Sequence, residues 1–203
     1  MPLSGKAQAL RSQGSLHVLV VGLNYSPEPS GIAPYTAALA KGLQERGLEI
    51  TVLTSHPHYP EWQIHPGYGS WNRRETVDLV PVARLLHYVP ARPSGIKRLV
   101  SEISFGLRLL FARWDNPDVV LLVSPALFAS ALAMLRIRFS SRKPIVNIWL
   151  QDIYSLGIRE TGMGGLAVAR IVTWVERKTL KAAAGVVVIH SRFAEYLSSK
   201  LGV

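Results

Sequence analysis

The segment from Val18 to Gly47 constrains the fold of this 203-residue chain more than any other. The run from His17 to Gly22 is apolar after its first residue, which is typical of a strand buried on both faces. A loop rich in Pro, Gly and Ser follows from Asn24 to Gly31. The chain then resumes with helical spacing of its apolar residues, which are Ile32, Tyr35, Leu39 and Leu43. Such a unit places backbone N–H groups and the positive end of a helix dipole where they can bind an anion, so it predicts a nucleotide or sugar-phosphate site.

The ends of this helix and the spacing of the glycines before it carry further signals. Ser30 is a suitable N-cap and Gly47 a suitable C-cap. Eight residues separate Gly22 from Gly31 and none of them is glycine, so the loop is neither the dinucleotide fingerprint nor a phosphate-binding P-loop. A loop of this length with Ser30-Gly31 at the helix entry can still hold one phosphate or sugar. An ordinary strand-to-helix connection stays open as the alternative.

Composition limits the class of protein and its partners. Hydrophobic residues make up 48% of the chain, enough for one core that hides roughly 70% of the unfolded surface. The absence of cysteine excludes disulfides and cysteine-bound zinc, and it suits a reducing compartment. The net charge of +10 favours an anionic partner such as nucleic acid, anionic lipid or a phosphorylated substrate. A soluble enzyme with a basic surface is the alternative.

Two segments call for a test as targeting or membrane sequences. Residues 1–15 are polar and lack an apolar core of signal-peptide length, so we expect a flexible leader. Residues 119–135 carry no charge over 17 residues, which is the short edge of a transmembrane span. Ser124-Pro125 interrupts this run, and proline is favoured in the first turn of a helix. We therefore expect a strand followed by a helix at this place.

Strand and helix patterns alternate along the rest of the chain. We predict strands at 48–54, 119–123, 145–150 and 185–189, with one or two short strands interrupted by Pro81 within 76–89. We predict helices at 96–114, 126–138, 166–184 and from 191 to about 201. Repeated βα units indicate an α/β fold over residues 16–203, a single Rossmann-like, doubly wound, mostly parallel sheet with helices on both faces. Ligands of such sheets gather at the carboxyl ends of the strands, which places the site in loops 24–31, 55–71, 124–125, 151–165 and 190–191.

The loop from Ser55 to Trp71 is crowded with His, Pro, Tyr and Trp. His56 and His58 could pair on a metal, but no carboxylate cluster accompanies them, so we predict no metal site. Imidazole and aromatic rings beside prolines line sugar or acceptor pockets, which makes His56, His58 and Tyr59 candidate acceptor-binding residues. The alternative is that these rings order a long loop.

Gln151 and Asp152 follow directly on the predicted strand 145–150. A carboxylate is costly when enclosed and well placed when it faces a cleft. Asp152 could there accept a hydrogen bond from a substrate hydroxyl or act as a base, so it is our candidate catalytic residue. A loop cap or helix cap is the alternative role.

The segment from Gly95 to Trp114 is an amphipathic helix pattern. Its apolar stripe consists of Ile96, Leu99, Val100, Ile103, Leu107, Leu110 and Phe111. Its cations are Lys97, Arg98, Arg108 and Arg113. Such a helix can lie on an anionic membrane surface. The commoner arrangement packs the stripe on the sheet and leaves the cations in solvent, and the two arrangements are compatible.

Three stretches together resemble one enzyme family. They are GLNYSPEPSGIAPYTAALAKGLQERGLEITVLTSHPHYPEW from Gly22, LQD at residues 150–152 and WVERKTLKAAAGVVVIHSRFAEYLSSKLG from Trp174. These stretches are similar to the amino-terminal half of retaining glycosyltransferases with the two-Rossmann GT-B fold. The similarity is greatest to the family-4 branch, which includes enzymes that build bacterial exopolysaccharide on a lipid carrier (colanic-acid type). The resemblance extends over nearly the whole chain, from Leu16 to Val203.

The resemblance implies a division of labour between two domains. In such enzymes the amino-terminal domain mainly binds acceptor and a second Rossmann domain binds the nucleotide-sugar. We therefore expect residues 16–203 to be an acceptor-binding domain without the donor-binding domain, which would act in cis or in trans. Ser30 and Gly31 match the family's glycine loop and would approach the donor phosphate or the transferred sugar. Asp152 matches the acid after the strand, and the family often places a histidine beside it, where this chain has Gln151.

The resemblance thus predicts a hexosyltransferase that moves sugar from a nucleotide-sugar to a glycan or lipid-linked acceptor in bacterial polysaccharide biosynthesis. We expect no tightly bound cofactor and no metal, an inactive isolated chain, and Tyr35 and Gln151 as further acceptor-binding residues. The basic surface and the helix 95–114 predict a cytoplasmic enzyme, peripheral on the inner face of the cytoplasmic membrane. One alternative is a sugar-nucleotide epimerase of the same fold. The other is a non-catalytic module that binds anions or nucleic acid, although no basic-aromatic cluster of the kind found in single-strand binders is present.

Overall fold

The computed structural model describes residues 14–161 and 165–203, without the side chains of 159–161. Residues 1–13 of the expected leader, and residues 162–164 of the loop 151–165, lie outside the described residues. The strands are β1 (His17–Gly22), β2 (Glu49–Ser55), β3 (Asn72–Val77), β4 (Val80–Leu85), β5 (Val119–Val123), β6 (Ile145–Leu150) and β7 (Gly185–Val188). The helices are α1 (Ala33–Glu45), α2 (Gly95–Phe111), α3 (Leu127–Phe139), α4 (Tyr154–Thr161), α5 (Gly165–Lys181) and α6 (Ser191–Tyr196), which continues into a π-helical turn (Leu197–Leu201).

The strands form one sheet in the order β3-β4-β2-β1-β5-β6-β7. Only β3 is antiparallel to its neighbour, whereas the other pairs are parallel. At the centre, Val20 is in register with Val52 on one side and with Leu121 on the other. The predicted α/β fold with a mostly parallel sheet is confirmed, and the carboxyl ends of six strands share one edge.

The two faces of the sheet carry separate hydrophobic clusters. One cluster joins the sheet to α2, α3, α5 and the π-helical turn, with Phe105, Ala133 and Leu180 among its buried members. The other joins the sheet to α1 through Ile32 and Ala40. Helices therefore cover both faces, as the repeated βα pattern predicts. Residues 119–135 form β5 and most of α3, as predicted, and within the described residues no helix is long and apolar enough to span a bilayer.

Helix α1 begins later than its sequence predicts. Ala33 is its first residue and Ile32 occupies the N-cap position without a side-chain hydrogen bond, so the prediction of Ser30 as N-cap is wrong. Pro34 in the first turn needs no N–H partner, and this favours the later start. At the other end, Gly47 has φ +83° and follows the last turn. Its N–H donates to Gln44 and that of Leu48 to Leu43, the hydrogen-bond pattern of a Schellman motif.

The strand pair β3–β4 is the largest departure from the predicted elements. It is an antiparallel hairpin whose turn residues, Asp78 and Leu79, both have positive φ. Pro81 lies within β4, opposite Thr76, and does not interrupt it. The sequence of β3, NRRETV, has little apolar character because an edge strand needs no second buried face.

Candidate functional site

The carboxyl edge of the sheet brings the glycine loop 24–31 against the loop 55–71, here called the acceptor loop. Gly31 is exposed and has φ +65°, a conformation that side chains rarely adopt. A Cβ on Gly31 would lie 3.4 Å from Cε1 of Tyr59, whose ring is half-buried. The two predicted loops therefore meet, and Gly31 and Tyr59 lie at their contact.

Glu28 ties the glycine loop to the acceptor loop from below. Its side chain is buried, and Oε1 accepts the backbone N–H groups of His58 at 2.8 Å and Tyr59 at 3.0 Å. Oε2 is buried and has no hydrogen-bond partner among the described residues. Glu28 is the only acid in the glycine loop. An acid at that position was the available sequence signal that Glu28 holds the loop, and our sequence analysis missed it.

Arg84 ties the bases of the same two loops together. Its side chain is fully buried in β4, and its guanidinium donates to the carbonyl oxygens of Ser55, at 3.1 Å, and of Ser26. Nε donates to the carboxylate of Glu75 on β3. Burial opposes ionisation of Glu75, but hydrogen bonds and charge from Arg84 and Arg73 outweigh it and lower the pKa of Glu75. The hairpin that sequence analysis did not resolve thus supports the base of the site.

The imidazoles of His56 and His58 lie beneath the acceptor loop. Both are buried, at 0% and 1% exposure, so neither ring is exposed at the surface of this structure, and their contact with an acceptor stays a prediction. Nε2 of His56 donates to the carbonyl of Ser70 at 2.8 Å, and Nδ1 of His58 lies 2.9 Å from the carbonyl oxygen of His56. Desolvation lowers the pKa of His56. The rings order the loop, which is the alternative that the sequence left open.

A third imidazole, His87, packs under the same loop. Its ring lies 4.9 Å from that of His58 and 5.9 Å from that of Phe105, centroid to centroid. Both ring nitrogens are buried, and neither has a hydrogen-bond partner in the part of the chain that the structure describes. Burial, with smaller contributions from His58 and His56, holds the pKa of His87 well below its usual range. No group of three His, Cys, Asp or Glu side chains that could hold a metal occurs within the described residues.

Asp152 and Gln151 lie on the other side of the edge, after β6. The Asp152 side chain is exposed and that of Gln151 is half-buried, so a ligand can reach both. Partial burial raises the pKa of Asp152. Asp152 lines a small pocket of about 20 Å³ together with Ser124, Tyr154 and Glu176.

Two buried glutamates hold the backbone around this pocket. Glu176 of α5 accepts the N–H groups of Tyr154 at 2.7 Å and Ser155 at 3.2 Å, at the start of α4. Glu102 of α2 accepts the N–H of Phe128 at 3.2 Å and the hydroxyl proton of Tyr154. Desolvation raises the pKa of both carboxyls. Sequence analysis missed both residues because nothing in a single helix shows which loop its acid will reach.

The remaining predicted residues lie near the start of α1. Tyr35 belongs to the apolar side predicted for α1, yet it is 66% exposed. The helix is rotated relative to that prediction, and it buries Ala33, Thr36 and Ala40 instead. The Ser30 hydroxyl is buried, and no residue in 14–158 or 165–203 makes a hydrogen bond with it. The site residues accessible to a ligand are thus Gly31, Tyr35, Tyr59, Gln151 and Asp152.

Helix α2 does not pack its whole apolar stripe on the sheet, which is the commoner of the two arrangements considered in the sequence analysis. Its buried residues are Ser101, Glu102, Phe105, Gly106 and Leu109. Much of the predicted apolar stripe faces solvent instead, with Ile96 exposed at 77% and Phe111 at 88%. Helix α5 also exposes apolar side chains, including Ile171 and Trp174. Small residues let α2 approach α3 closely, since a Cβ on Gly106 would lie 2.6 Å from Cδ1 of Leu132.

Comparisons with known proteins place this architecture in a family. The sequence profile of the glycosyl transferase 4-like domain matches residues 30–203. The chain is 34% identical over 173 residues to the putative colanic acid biosynthesis glycosyl transferase WcaI of Escherichia coli strain K12, a match that covers 81% of this chain and 42% of that protein. Sucrose-phosphate synthase from Thermosynechococcus elongatus has a similar structure, with a TM-score of 0.63 at 12% identity over 92% of this chain and 45% of that one.

The two kinds of match carry different weight. The likeness to the synthase concerns the fold alone and agrees with a Rossmann-like sheet of the GT-B type. The chain spans less than half the length of both relatives. The profile match extends over most of the sequence, and the relative from Escherichia coli shares a third of the aligned residues. The chain therefore belongs to the glycosyl transferase 4-like domain family.

Proposed function

We propose that this chain is the acceptor-side domain of a retaining glycosyltransferase, which moves a hexose from a nucleotide-sugar to a glycan in bacterial polysaccharide biosynthesis. The observation that carries the proposal is the meeting of Gly31 and Tyr59 at the carboxyl edge that also presents Asp152. Membership of a glycosyl transferase family supports the reaction class. The name of the relative, a colanic acid enzyme, supports the polysaccharide pathway.

Each accessible residue has a role in this proposal. Gly31 lets the glycine loop approach the donor, and the N-terminus of α1 behind it stabilises the negative charge that develops on the leaving diphosphate. Asp152 accepts a hydrogen bond from the acceptor hydroxyl and orients it. Tyr35, Tyr59 and Gln151 line the acceptor position. A second Rossmann domain, in cis or in trans, supplies the nucleotide-sugar.

We propose further that the acceptor is lipid-linked and that α2 rests on an anionic membrane at the cytoplasmic face. Ile96, Val100, Leu107 and Phe111 are exposed on this helix. Lys97 and Arg98 stand beside them, as expected for a helix in the headgroup region. The Arg98 guanidinium lies 5.2 Å from the ring centroid of Trp62 in the acceptor loop. A lipid carrier on α2 would therefore present its glycan close to the site.

The reaction is tested with the full-length protein, a panel of UDP- and GDP-hexoses, and lipid extract from the source cells as acceptor. We expect transfer of labelled hexose with retained anomeric configuration, and a drop of about 100-fold in kcat/KM for Asp152→Asn. The matched control is Glu195→Gln, an exposed acid on α6. Conversion of the nucleotide-sugar into its epimer, without transfer, would favour the epimerase instead.

Membrane docking is tested by co-sedimentation with vesicles of phosphatidylcholine containing about 30% phosphatidylglycerol. We expect binding that falls at high salt and is lost in the double variant Ile96→Ser, Phe111→Ser. Leu79→Ser, which removes an 81% exposed leucine from the β3–β4 turn, is the control and should bind like the wild type. Equal binding of the double variant would remove α2 from the proposal, and binding to RNA or DNA in its place would favour the nucleic-acid alternative.

A further inference from the structure

We infer that Glu28 is a positioning residue, which sets the tip of the acceptor loop against the glycine loop so that Gly31 and Tyr59 meet the substrates as one unit. The loop-holding part of this inference depends only on geometry. Its catalytic consequence rests on the proposed function.

One carboxylate oxygen of Glu28 makes a pair of hydrogen bonds to the acceptor loop. Oε1 of Glu28 accepts two successive backbone N–H groups, those of His58 and Tyr59, from a loop 30 residues away in sequence. Glu28 is 2% exposed, so water does not compete for these donors. Hydrogen bonds in such a low-dielectric environment are electrostatically stronger than they are in water. The position of the loop backbone at Tyr59 is therefore determined by Glu28.

The backbone at Tyr59 sets the position of the Tyr59 ring beside Gly31. The Tyr59 ring lies where a Cβ on Gly31 would make contact at 3.4 Å, and its centroid is 6.2 Å from that of Trp62. A shift of the backbone at Tyr59 therefore moves the ring away from Gly31. It also disturbs the part of the loop that Arg98 contacts through Trp62. Both proposed substrate positions thus depend on one buried carboxylate.

The tip and the base of the acceptor loop are held by different residues. Arg84 holds the bases of the same loops through the carbonyls of Ser26 and Ser55, independently of Glu28. Loss of the Glu28 carboxylate should therefore free the tip of the acceptor loop while its base and the sheet stay in place. A residue that only stabilised the fold would affect the whole molecule equally.

Amide hydrogen exchange, followed by NMR, tests the loop-holding part in the full-length protein. For Glu28→Ala we expect the His58 and Tyr59 amides to exchange about 10- to 100-fold faster, with Val20 in β1 unchanged. Glu28→Gln keeps one acceptor oxygen and should restore most of the protection. Glu61→Ala removes an exposed acid of the same loop and should change neither amide. Unchanged exchange of Tyr59 in Glu28→Ala, or equal acceleration at Val20, would overturn the inference.

Steady-state kinetics in the transferase assay tests the catalytic part. We expect Glu28→Ala to lower kcat by about 10- to 100-fold through misplacement of the reacting groups, and Glu28→Gln to recover most of it. Faster exchange with unchanged kcat and KM would overturn the positioning role. If the wild type transfers no sugar, the proposed function fails, and the exchange measurement still decides whether Glu28 holds the loop.

Discussion

Glu176 lies in α5, yet its carboxylate accepts the backbone N–H of Tyr154 at 2.7 Å, at the first turn of α4. The first N–H groups of a helix have no partner within it, and an acid from another helix satisfies them here. Glu102 does the same for Phe128 at the start of α3. With Glu28 under the acceptor loop, three buried glutamates hold three segments of the carboxyl edge from beneath. The edge that carries the proposed chemistry is thus pre-organised by acids that take no part in it.

The Glu176 contact predicts a large and selective loss of stability. Glu176→Ala removes the acceptor of the buried Ser155 N–H and of the partly buried Tyr154 N–H, so we expect the free energy of unfolding to fall by about 3 kcal/mol. Glu176→Gln retains an acceptor oxygen and should cost about 1 kcal/mol. Urea unfolding measures both. Glu195→Ala, on the exposed face of α6, is the control and should stay within about 0.5 kcal/mol of the wild type. Similar losses for Glu176→Ala and Glu195→Ala would contradict this explanation.

The close approach of α2 to α3 predicts the effect of a single methyl group. A Cβ at Gly106 would lie 2.6 Å from Cδ1 of Leu132 and 3.0 Å from Cα of Ala129. We expect Gly106→Ala to lower the unfolding free energy by about 2 kcal/mol, because the core is overpacked. Gly157→Ala is the matched control in α4, where a Cβ meets none of the described atoms within 4 Å, and it should raise stability by about 0.5 kcal/mol. Stabilisation by both substitutions would show that the interface can open without cost.

Much of the fold could be predicted because its signals are local. The apolar runs of β1, β5 and β6 and the helices between them follow from periodicity within single segments. Strand β3 could not be found in this way because its charged sequence lacks an apolar pattern, and it is a strand through its pairing with β4. The buried face of α2, with Ser101, Glu102 and Gly106, likewise depends on α3 and on Tyr154.

The candidate site could likewise be predicted only in part. Topology alone predicts which loops meet at the carboxyl edge, and the contact between Gly31 and Tyr59 agrees. It does not predict which side chains hold the loops, because Glu28 and Arg84 act on partners 30 and 58 residues away in sequence. Histidines in a polar loop suggest ligand contact, whereas His56 and His58 instead supply the loop with a buried interior.

Gly31 tests the contact between the two loops. Gly31→Ala introduces a side chain at φ +65° and places its Cβ against Tyr59, so we expect a loss of about 1 to 2 kcal/mol in unfolding free energy. Gly67→Ala is the matched control, since Gly67 has φ +82° in the acceptor loop and a Cβ there meets nothing within 4 Å. The excess loss for Gly31→Ala measures the contact with Tyr59. Equal losses in urea unfolding would mean that Tyr59 gives way freely.

The last prediction concerns pH and the buried His87. Because burial holds its pKa well below 6.5, the folded protein keeps His87 neutral while the unfolded chain takes up a proton below about pH 6.5. The unfolding free energy contributed by this residue therefore falls as the pH is lowered from about 7 to 5, by up to about 1.4 kcal/mol per pH unit. His56 acts in the same direction. The raised pKa values of Glu102, Glu176 and Asp152 act in the opposite direction, since the folded state binds their protons more readily.

Comparing the pH dependence of unfolding between the wild type and one variant separates the contribution of His87 from those of the other groups. His87→Phe keeps a ring beside Phe105 and cannot take up a proton, so its unfolding free energy should fall less steeply than that of the wild type below about pH 6.5. Urea unfolding at pH values from about 7 to 5 gives the two slopes. Parallel curves for His87→Phe and the wild type would mean that His87 is protonated without cost in the folded protein, and thus that the loop above it opens to water.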